Sequence, residues 1–147
     1  MGASKPENPW HLVTDFETDR EHGFLLREKS PFDGMSELQL KLVTAGKRIH
    51  FRAPSKCVPA RLKKVLREVA AKYGPITVNS TYRSPAKNRK IGGKRSSYHL
   101  KCAAIDFRVH GRTKGLLSYL RKHPSVGGYK RYKSGFYHID TGPKRTW

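Results

Sequence analysis

The sequence predicts an α+β fold in which a mostly antiparallel central sheet has helices packed on one side. Short stretches with strand-like patterns occur in runs, and only two long stretches carry the apolar stripe of an amphipathic helix. The chain has 147 residues, which is enough for one domain with a buried core. Hydrophobic residues make up 36% of the sequence, which argues against a disordered protein.

Residues 1–57 are predicted to be an N-terminal extension packed on the same domain as a core spanning residues 58–147. Residues 1–9 are polar and contain two prolines, so we expect a frayed end. Residues 12–16 and 23–27 are strand candidates.

A β-hairpin is predicted next in this extension. Apolar residues alternate with polar ones at Leu38, Leu40 and Leu42, and the same alternation returns over residues 49–53. Ala45-Gly46 lies between the two stretches and offers a turn. Alternation with a period of two on both sides of a glycine-containing break is typical of a hairpin.

The clearest helix in the sequence is predicted over residues 59–73. Pro59 suits a first helical turn, and Gly74-Pro75 ends the helix. The positions that share its apolar face are Leu62, Val65, Leu66, Val69, Ala70 and Tyr73.

The rest of the chain alternates between short strands and short helices. Ser84 is a natural cap for a helix that runs to Arg89, and a basic loop with glycines follows over residues 91–95. The remaining predictions are strands over 76–80 and 103–109, a helix over 114–122, and a final hairpin formed by 129–132 and 136–141.

The charge of the chain is extreme, with 31 Lys and Arg against 11 Asp and Glu, or +20. Such a field attracts polyanions such as nucleic acid, acidic wall polymers or an anionic membrane face. The basic residues are spread along the chain, which indicates a generally basic surface. No helix-turn-helix, zinc finger or aromatic sheet motif is present, so we expect no nucleic-acid partner.

The sequence offers no apolar run of the ~20 residues needed for a membrane span. It also offers no visible signal peptide, although Met1-Gly2-Ala3-Ser4 is compatible with a signal that has been removed. The two cysteines, Cys57 and Cys102, permit one disulfide or two separate small buried residues. Neither lies in a C-x-x-C pair, so no structural zinc knuckle is predicted.

Two imidazoles and two carboxylates are predicted to lie around one sheet: His99, Asp106, His138 and Asp140. Two histidines and one carboxylate give zinc three ligands and leave a fourth position for water. Seven residues separate His99 from Asp106, so strict alternation would put them on opposite faces. A metal site therefore requires that His99 project from a loop or that a bulge re-aim the chain. A histidine near a strand end is otherwise more often solvated or hydrogen-bonded.

Three motifs in order carry a resemblance to a known family. They are Ser80-Thr81-Tyr82-Arg83-Ser84-Pro85 with Asn88, Ser97-Tyr98-His99 followed by Ala104-Ile105-Asp106-Phe107, and the final stretch Phe136 to Trp147, with Gly127-Gly128-Tyr129 before it. Together they resemble the zinc D-Ala-D-Ala carboxypeptidase superfamily, and within it the MepK-type murein endopeptidases. The resemblance covers roughly residues 58–147.

The resemblance implies a metallopeptidase that uses a zinc-activated water to hydrolyse amide bonds of peptidoglycan cross-links. It implies one Zn²⁺ per chain, held by His99, Asp106 and His138. Arg83 would polarise the scissile carbonyl or bind a stem-peptide carboxylate. The other site residues that we expect are Asp140 as a catalytic helper or as support for a ligand, and Ser97 and Tyr98 in substrate binding.

The chain departs from the superfamily pattern at two places. Positions that often hold an acid or a histidine near the last ligand are Gly135 and Phe136, so no general base is assigned. Cys102 stands where the pattern has glycine, and it could be a fourth ligand, a free thiol or half of a bridge. In an exported protein a Cys57–Cys102 disulfide is the leading option, and it would tie the start of the long helix to the metal loop.

Peptidoglycan is the expected partner, in the periplasm or otherwise outside the cell membrane, for a chain expected to be a monomer. Basic residues flank the expected site and could hold the anionic wall mesh, or could simply be solvated: Lys87, Arg89, Lys90, Lys94, Arg95 and Lys101. The alternative functions are a D,D-carboxypeptidase, an endolysin-type peptidase, or a non-catalytic basic domain that binds the cell wall.

Overall fold

A five-stranded sheet organises the protein in the computed structural model, which describes residues 30–147. The strand order is β1-β2-β3-β5-β4, and only the β1–β2 pair is parallel. The elements are α1 Glu37–Gly46, β1 Ile49–Phe51, α2 Ala60–Tyr73, β2 Ile76–Ser80, α3 Pro85–Lys90, a 3-10 helix Tyr98–Lys101, β3 Ala104–Val109, α4 Leu116–Lys122, β4 Tyr129–Arg131 and β5 Tyr137–Asp140.

The predicted α+β class with a mostly antiparallel sheet is confirmed, as are the long helix, the capped short helix and the final hairpin. Residues 34–147 form one compact unit. The predicted frayed end at 1–9 and the strand candidates at 12–16 and 23–27 lie outside the described residues. Between residues 30 and 147 no helix has both the length and the apolar character needed to cross a bilayer.

The hairpin predicted over residues 38–53 is wrong. Residues 37–46 form α1 instead, and Ile49–Phe51 pairs in parallel with β2. Ser36 and Gln39 form a reciprocal capping box at the start of this helix. The run of Glu, Leu, Gln and Lys also consists of strong helix formers, so local propensity and capping outweigh the alternating pattern.

The hydrophobic core lies between α2, α4 and one face of the sheet. Leu116 and Leu120 of α4 are buried there. Five residues of α2 join them: Leu62, Val65, Leu66, Val69 and Ala70. Phe107 of β3 stacks on Tyr137 of β5 with a centroid distance of 5.9 Å. The apolar face predicted for the long helix is therefore the face that the sheet covers.

The two faces of β3 and β5 differ in chemistry because successive side chains point in opposite directions. Ile105, Phe107 and Ile139 belong to the core. Asp106 and His138, which pair directly across the two strands, lie on the other face. The polar face of the sheet thus presents the predicted ligands away from α2 and α4.

A β-bulge ends the regular pairing of β2 with β3. Val78 pairs with Phe107, but Ser80 pairs with Asp106, so Asn79 is the extra residue. A bulge bends the strand that carries the extra residue, here near the end of β2. The chain then passes through Thr81 into α3, whose start is capped by the Ser84 side chain.

Cys57 and Cys102 form a disulfide with a Cα–Cα distance of 5.9 Å, which confirms the predicted bridge. It ties the residues before α2 to the end of the 3-10 helix that carries His99. Cys102 has a φ of 53°, a left-handed conformation that glycine adopts at little cost. This explains why the family pattern has glycine at a position that this chain fills with a cysteine.

Candidate metal centre

Three different elements bring the predicted ligands together. His99 comes from the 3-10 helix, Asp106 from the middle of β3 and His138 from β5. His99 therefore reaches the face of Asp106 from a helical turn that precedes the strand, so strict alternation does not apply to it. Ligand atoms of the three residues lie within 4.8 Å of one another.

The distances between these groups are short enough for one coordination site. His99 Nε2 lies 3.1 Å from Asp106 Oδ2, and His138 Nδ1 lies 2.8 Å from Asp106 Oδ1. Ligands in a tetrahedral zinc site, with bonds near 2.0–2.1 Å, are roughly 3.3 Å apart. The donor set is therefore compact enough to converge on one ion.

The hydrogen bonds of His99 leave one of its nitrogens available as a ligand. Its Nδ1 lies 2.6 Å from the Thr81 carbonyl oxygen, which can only accept, so Nδ1 carries a proton. In the neutral ring Nε2 then holds a lone pair. Within residues 30–147, His99 Nε2 is the one buried side-chain nitrogen or oxygen without a hydrogen-bond partner. A lone pair facing a carboxylate is the environment that a bound cation would satisfy.

His138 lies between two carboxylates. Its Nδ1 faces Asp106, and its Nε2 lies 3.0 Å from Asp140 Oδ2. Burial lowers the pKa of His138, but the hydrogen bonds to Asp106 and Asp140 outweigh burial and raise it. Burial raises the pKa of Asp106, but His138 and His99 hold it well below its usual range. Without a metal, the geometry thus favours an imidazolium between two carboxylates.

Asp140 is completely buried and both of its oxygens are occupied. Oδ1 accepts hydrogen bonds from the backbone N–H groups of Gly128 and Gly142 and from Arg145, and Oδ2 accepts from Arg145 and His138. Burial raises the pKa of Asp140, but these donors, His138 first, bring it well below its usual range.

Gly128 is required by this arrangement. A Cβ at this position would lie only 2.3 Å from Asp140 Oδ2, which is closer than such atoms approach. The Gly127-Gly128 pair quoted among the family motifs therefore lets the backbone come close enough to bind the carboxylate. No larger residue fits at Gly128 unless Asp140 moves.

Arg83 lies beside the ligands, held by a partner that sequence reasoning did not assign. Its Nη2 is 3.5 Å from Asp106 Oδ2, and its Nη1 donates to the Asn88 side chain at 3.2 Å. Asn88 is buried and also donates to the carbonyls of Gly93 and Lys94. It therefore links the arginine to the basic loop over residues 91–95. Its place in the Ser-Pro-x-x-Asn motif was the available signal.

Ser97 and Tyr98 both line the cavity at this site, but each also has a local structural contact. The Ser97 side chain caps the 3-10 helix by accepting from the His99 N–H. The Tyr98 ring lies under the Arg145 guanidinium at 5.0 Å and beside Gly142. These contacts orient His99 and the chain around Arg145.

A cavity of about 1000 Å³ opens over the three candidate ligands. Its wall includes Arg83, Tyr132, Phe136 and Trp147. Phe136 packs against the Arg108 guanidinium at 4.4 Å. Because its side chain is a phenyl ring, it contributes no acid or base to the site. Burial, with the nearby Asp106 charge, raises the pKa of Tyr132 and keeps its phenol neutral. Tyr132 was not singled out from the sequence, and Trp147 ended the last family motif without being assigned a role.

An open cavity over two histidines and an aspartate, on the polar face of an α+β sheet, is the arrangement expected of a metal-dependent hydrolase. The sequence profile of the Peptidase M15 family matches residues 35–140, and the chain belongs to this family. The match begins just before α1, well ahead of the region for which the sequence motifs had indicated a resemblance.

Curated relatives carry more specific names. The chain is 38% identical over 84 residues to the probable peptidoglycan L,D-endopeptidase MepK of Haemophilus influenzae, a match that covers 54% of this chain and 41% of the relative. It is 39% identical over 82 residues to the peptidoglycan L,D-endopeptidase MepK of Escherichia coli K12, which covers 50% and 43% respectively. The matches thus span about two fifths of the length of these relatives.

Proposed function

We propose that the chain is a zinc-dependent peptidoglycan endopeptidase that hydrolyses amide bonds in stem-peptide cross-links. The observation that carries this proposal is the buried, unpartnered Nε2 of His99, which faces Asp106 and His138 at the floor of a cavity. Membership of the Peptidase M15 family and the names of the relatives support the same function. The L,D-endopeptidase names favour a bond between an L- and a D-residue.

We propose His99, Asp106 and His138 as the ligands of one Zn²⁺ ion. Two imidazole nitrogens and a carboxylate oxygen are a donor set that zinc prefers and that leaves a coordination position open. When bound, the ion supplies Lewis-acid chemistry that makes a water molecule nucleophilic near neutral pH. The residues of the chain must then hold the scissile amide and manage its protons.

Arg83 is proposed to bind the carbonyl oxygen of the scissile amide. A guanidinium has five N–H donors, and Asn88 takes up one nitrogen of Arg83. The donors that remain could stabilise negative charge as it develops on the carbonyl oxygen, and this kind of stabilisation is a major part of acyl-transfer catalysis. Asn88 is proposed as the residue that keeps the guanidinium in position.

Asp140 is proposed to act through His138 and not on the substrate. Five donors already bond to its carboxylate, so neither oxygen is free to take a proton from the substrate. By accepting the Nε2 proton of His138, it leaves Nδ1 as the ligand atom and fixes the ring. The general base of the reaction stays unassigned. Ser97 and Tyr98 are proposed to contact substrate at the cavity wall.

Digestion of purified sacculi tests the proposal. The zinc-loaded protein should convert cross-linked muropeptide dimers to monomers, as read by chromatography, and a chelator should abolish the conversion. His138→Ala, shown to be folded by circular dichroism, should be inactive. A folded, zinc-loaded protein that binds sacculi but leaves every cross-link intact would instead be a wall-binding domain. Loss of terminal D-alanine without loss of dimers would identify a carboxypeptidase.

A further inference from the structure

An exposed tryptophan stands at the wall of the cavity next to a metal-ligand candidate. The Trp147 indole lies 5.1 Å from the His138 imidazole, with the ring planes inclined at 70°. The residue is 45% exposed and lines the same cavity as the three ligands. A large apolar face is therefore offered to whatever lies beside the reactive centre.

Three cationic side chains surround this indole. Arg145 lies 5.2 Å from the ring centroid, Lys130 at 5.4 Å and Lys94 at 5.7 Å. The charge of Arg145 is compensated by Asp140, at 2.7 Å. Lys94 and Lys130 have no carboxylate within ion-pair distance among the residues that the structure describes. Two uncompensated ammonium groups therefore share one aromatic ring, with Lys94 in the lining of the cavity and Lys130 beside it on β4.

Contact with the ring alone gives these ammonium groups little stabilisation. An exposed cation–π contact is worth about 0.5–1 kcal/mol. Because both nitrogens lie within 6 Å of one centroid, they are at most roughly 11 Å apart. The two like charges therefore repel one another, and an anionic group bound beside the indole would be attracted by both.

The side chains that line the cavity include no free carboxylate that would repel such an anion. The acidic residues of its lining are Asp106 and Asp140. Asp106 faces both histidines and Arg83, and Asp140 is fully bonded by its five donors. The unpaired charge on the cavity wall is therefore positive.

We propose that Trp147, Lys94 and Lys130 form a substrate subsite for a carboxylate-bearing segment of the peptide, next to the scissile amide. This inference rests on the proposed function and adds the feature by which the enzyme selects its substrate. The indole packs against an aliphatic part of the peptide, and the two ammonium groups bind the carboxylate. A peptide whose carboxylates are amidated should therefore be a poor substrate.

Kinetics on paired substrates test the subsite. The substrates are a cross-linked muropeptide dimer with free carboxylates and the same dimer after amidation. For the free-acid dimer, Lys94→Gln with Lys130→Gln should raise KM roughly tenfold and leave kcat within about twofold, because two exposed ion pairs are lost. The same double variant should cleave the amidated dimer as the wild type does. Lys64→Gln on α2, an exposed lysine outside the cavity, is the matched control.

A binding measurement separates the subsite from the reaction itself. The sequence contains two tryptophans, so the Trp10→Phe background isolates the fluorescence of Trp147. Titration of the zinc-loaded protein with the free-acid product peptide should change this emission, and Lys94→Gln with Lys130→Gln should weaken binding about tenfold. Equal affinity for free-acid and amidated peptides would overturn the subsite, even if sacculi are cleaved. Absence of cleavage with intact binding would overturn the proposed function alone.

Discussion

His138 and Asp140 lie two residues apart on β5, point to the same face of the sheet, and are joined by a contact of 3.0 Å between Nε2 and Oδ2. His138 faces the cavity, and Asp140 is held in place by hydrogen bonds from backbone N–H groups and from Arg145. The carboxylate therefore fixes which nitrogen of the imidazole is left for a metal ion.

Loss of one proposed ligand should prevent the chain from holding zinc. We expect His138→Ala or His99→Gln to lower zinc affinity by more than ~100-fold, since removal of a direct ligand exceeds the 10–100-fold effect of losing a supporting hydrogen bond. Elemental analysis after dialysis gives the metal content. His110→Ala, an exposed histidine outside the cluster, is the control and should retain about one zinc per chain. Equal zinc in all variants would contradict the assigned ligands.

Asp140→Asn should weaken the metal site without removing a ligand. An asparagine that presents its N–H₂ to His138 would favour the wrong tautomer, so we expect a 10–100-fold loss of zinc affinity. Competition with a chelating dye measures this loss. If zinc affinity is unchanged while activity falls, Asp140 acts on the substrate and not through His138.

The stability of the metal-free protein should depend on pH in both directions. The pKa of His138 is higher in the folded protein than its value near ~6.5 in the unfolded chain. Protonated His138 therefore stabilises the fold below this pH, and the stabilisation is lost as the pH rises through the folded pKa. The pKa values of Asp106 and Asp140 are lower in the folded protein, so their carboxylates stabilise the fold above about pH 3.9. This stabilisation is lost as the pH falls through the folded pKa values. Urea unfolding with a chelator should therefore give a maximum between about pH 4 and 6.5.

A matched variant isolates this pH dependence. Asp140→Asn should flatten both sides of the profile because it removes one carboxylate and one partner of His138. Added zinc should shift the maximum to higher pH, where His138 has lost the proton with which the metal competes. A metal-free wild-type protein that is most stable above pH 8 would contradict the ion pairs described for His138.

Arg83 and Asn88 should act as one unit. Removal of a donor to a developing oxyanion typically costs about 10²–10³ in kcat, and we expect Arg83→Gln to fall in this range. Asn88→Ala should lower kcat by a smaller factor, because Arg83 is still present but its guanidinium no longer has the hydrogen bond that positions it. Steady-state kinetics of the double variant provide the check. Losses that multiply fully would mean that Asn88 does not act through Arg83.

The disulfide should stabilise the fold. Residues 57 and 102 are separated by 45 positions, and closing such a loop is worth ~4 kcal/mol in the chain-entropy model. We expect Cys57→Ser with Cys102→Ala to lower the free energy of unfolding by about this amount. Cys57→Ser with Cys102→Gly should recover about 1 kcal/mol, because glycine adopts the left-handed conformation at residue 102 more readily. Equal stability of the two double variants would contradict that explanation.

Much of the fold could be predicted because local signals agreed with it. The apolar stripe of α2, the cap at Ser84 and the final hairpin all appear in the sequence as they do in the structure. The helix α1 could not be predicted, because Leu38, Leu40 and Leu42 alternate with polar residues as in a strand, although their residue types favour a helix. Leu38 and Leu40 are in fact exposed, so their pattern did not report on burial.

The clustering of His99, Asp106 and His138 could be predicted from the sequence, but the hydrogen bonds around these residues could not. The motif residues indicated His99, Asp106 and His138, while the 3-10 helix that lets His99 reach its partners has no periodic signal. The hydrogen bonds of Asn88 with Arg83 and of Arg145 with Asp140 join residues five positions apart, across turns whose shape depends on tertiary contacts. Trp147 lies near His138 only because the chain folds back after β5.

The division of β3 and β5 into an apolar and a polar face has a consequence for how this protein can change. Substitutions at even-numbered positions such as 106 and 138 can alter chemistry while Ile105, Phe107 and Ile139 continue to fill the interior. Deletion of a single residue inside β3 would have the opposite effect. It would turn an aspartate inward and a phenylalanine toward solvent, so stability and reactivity would be lost in one step.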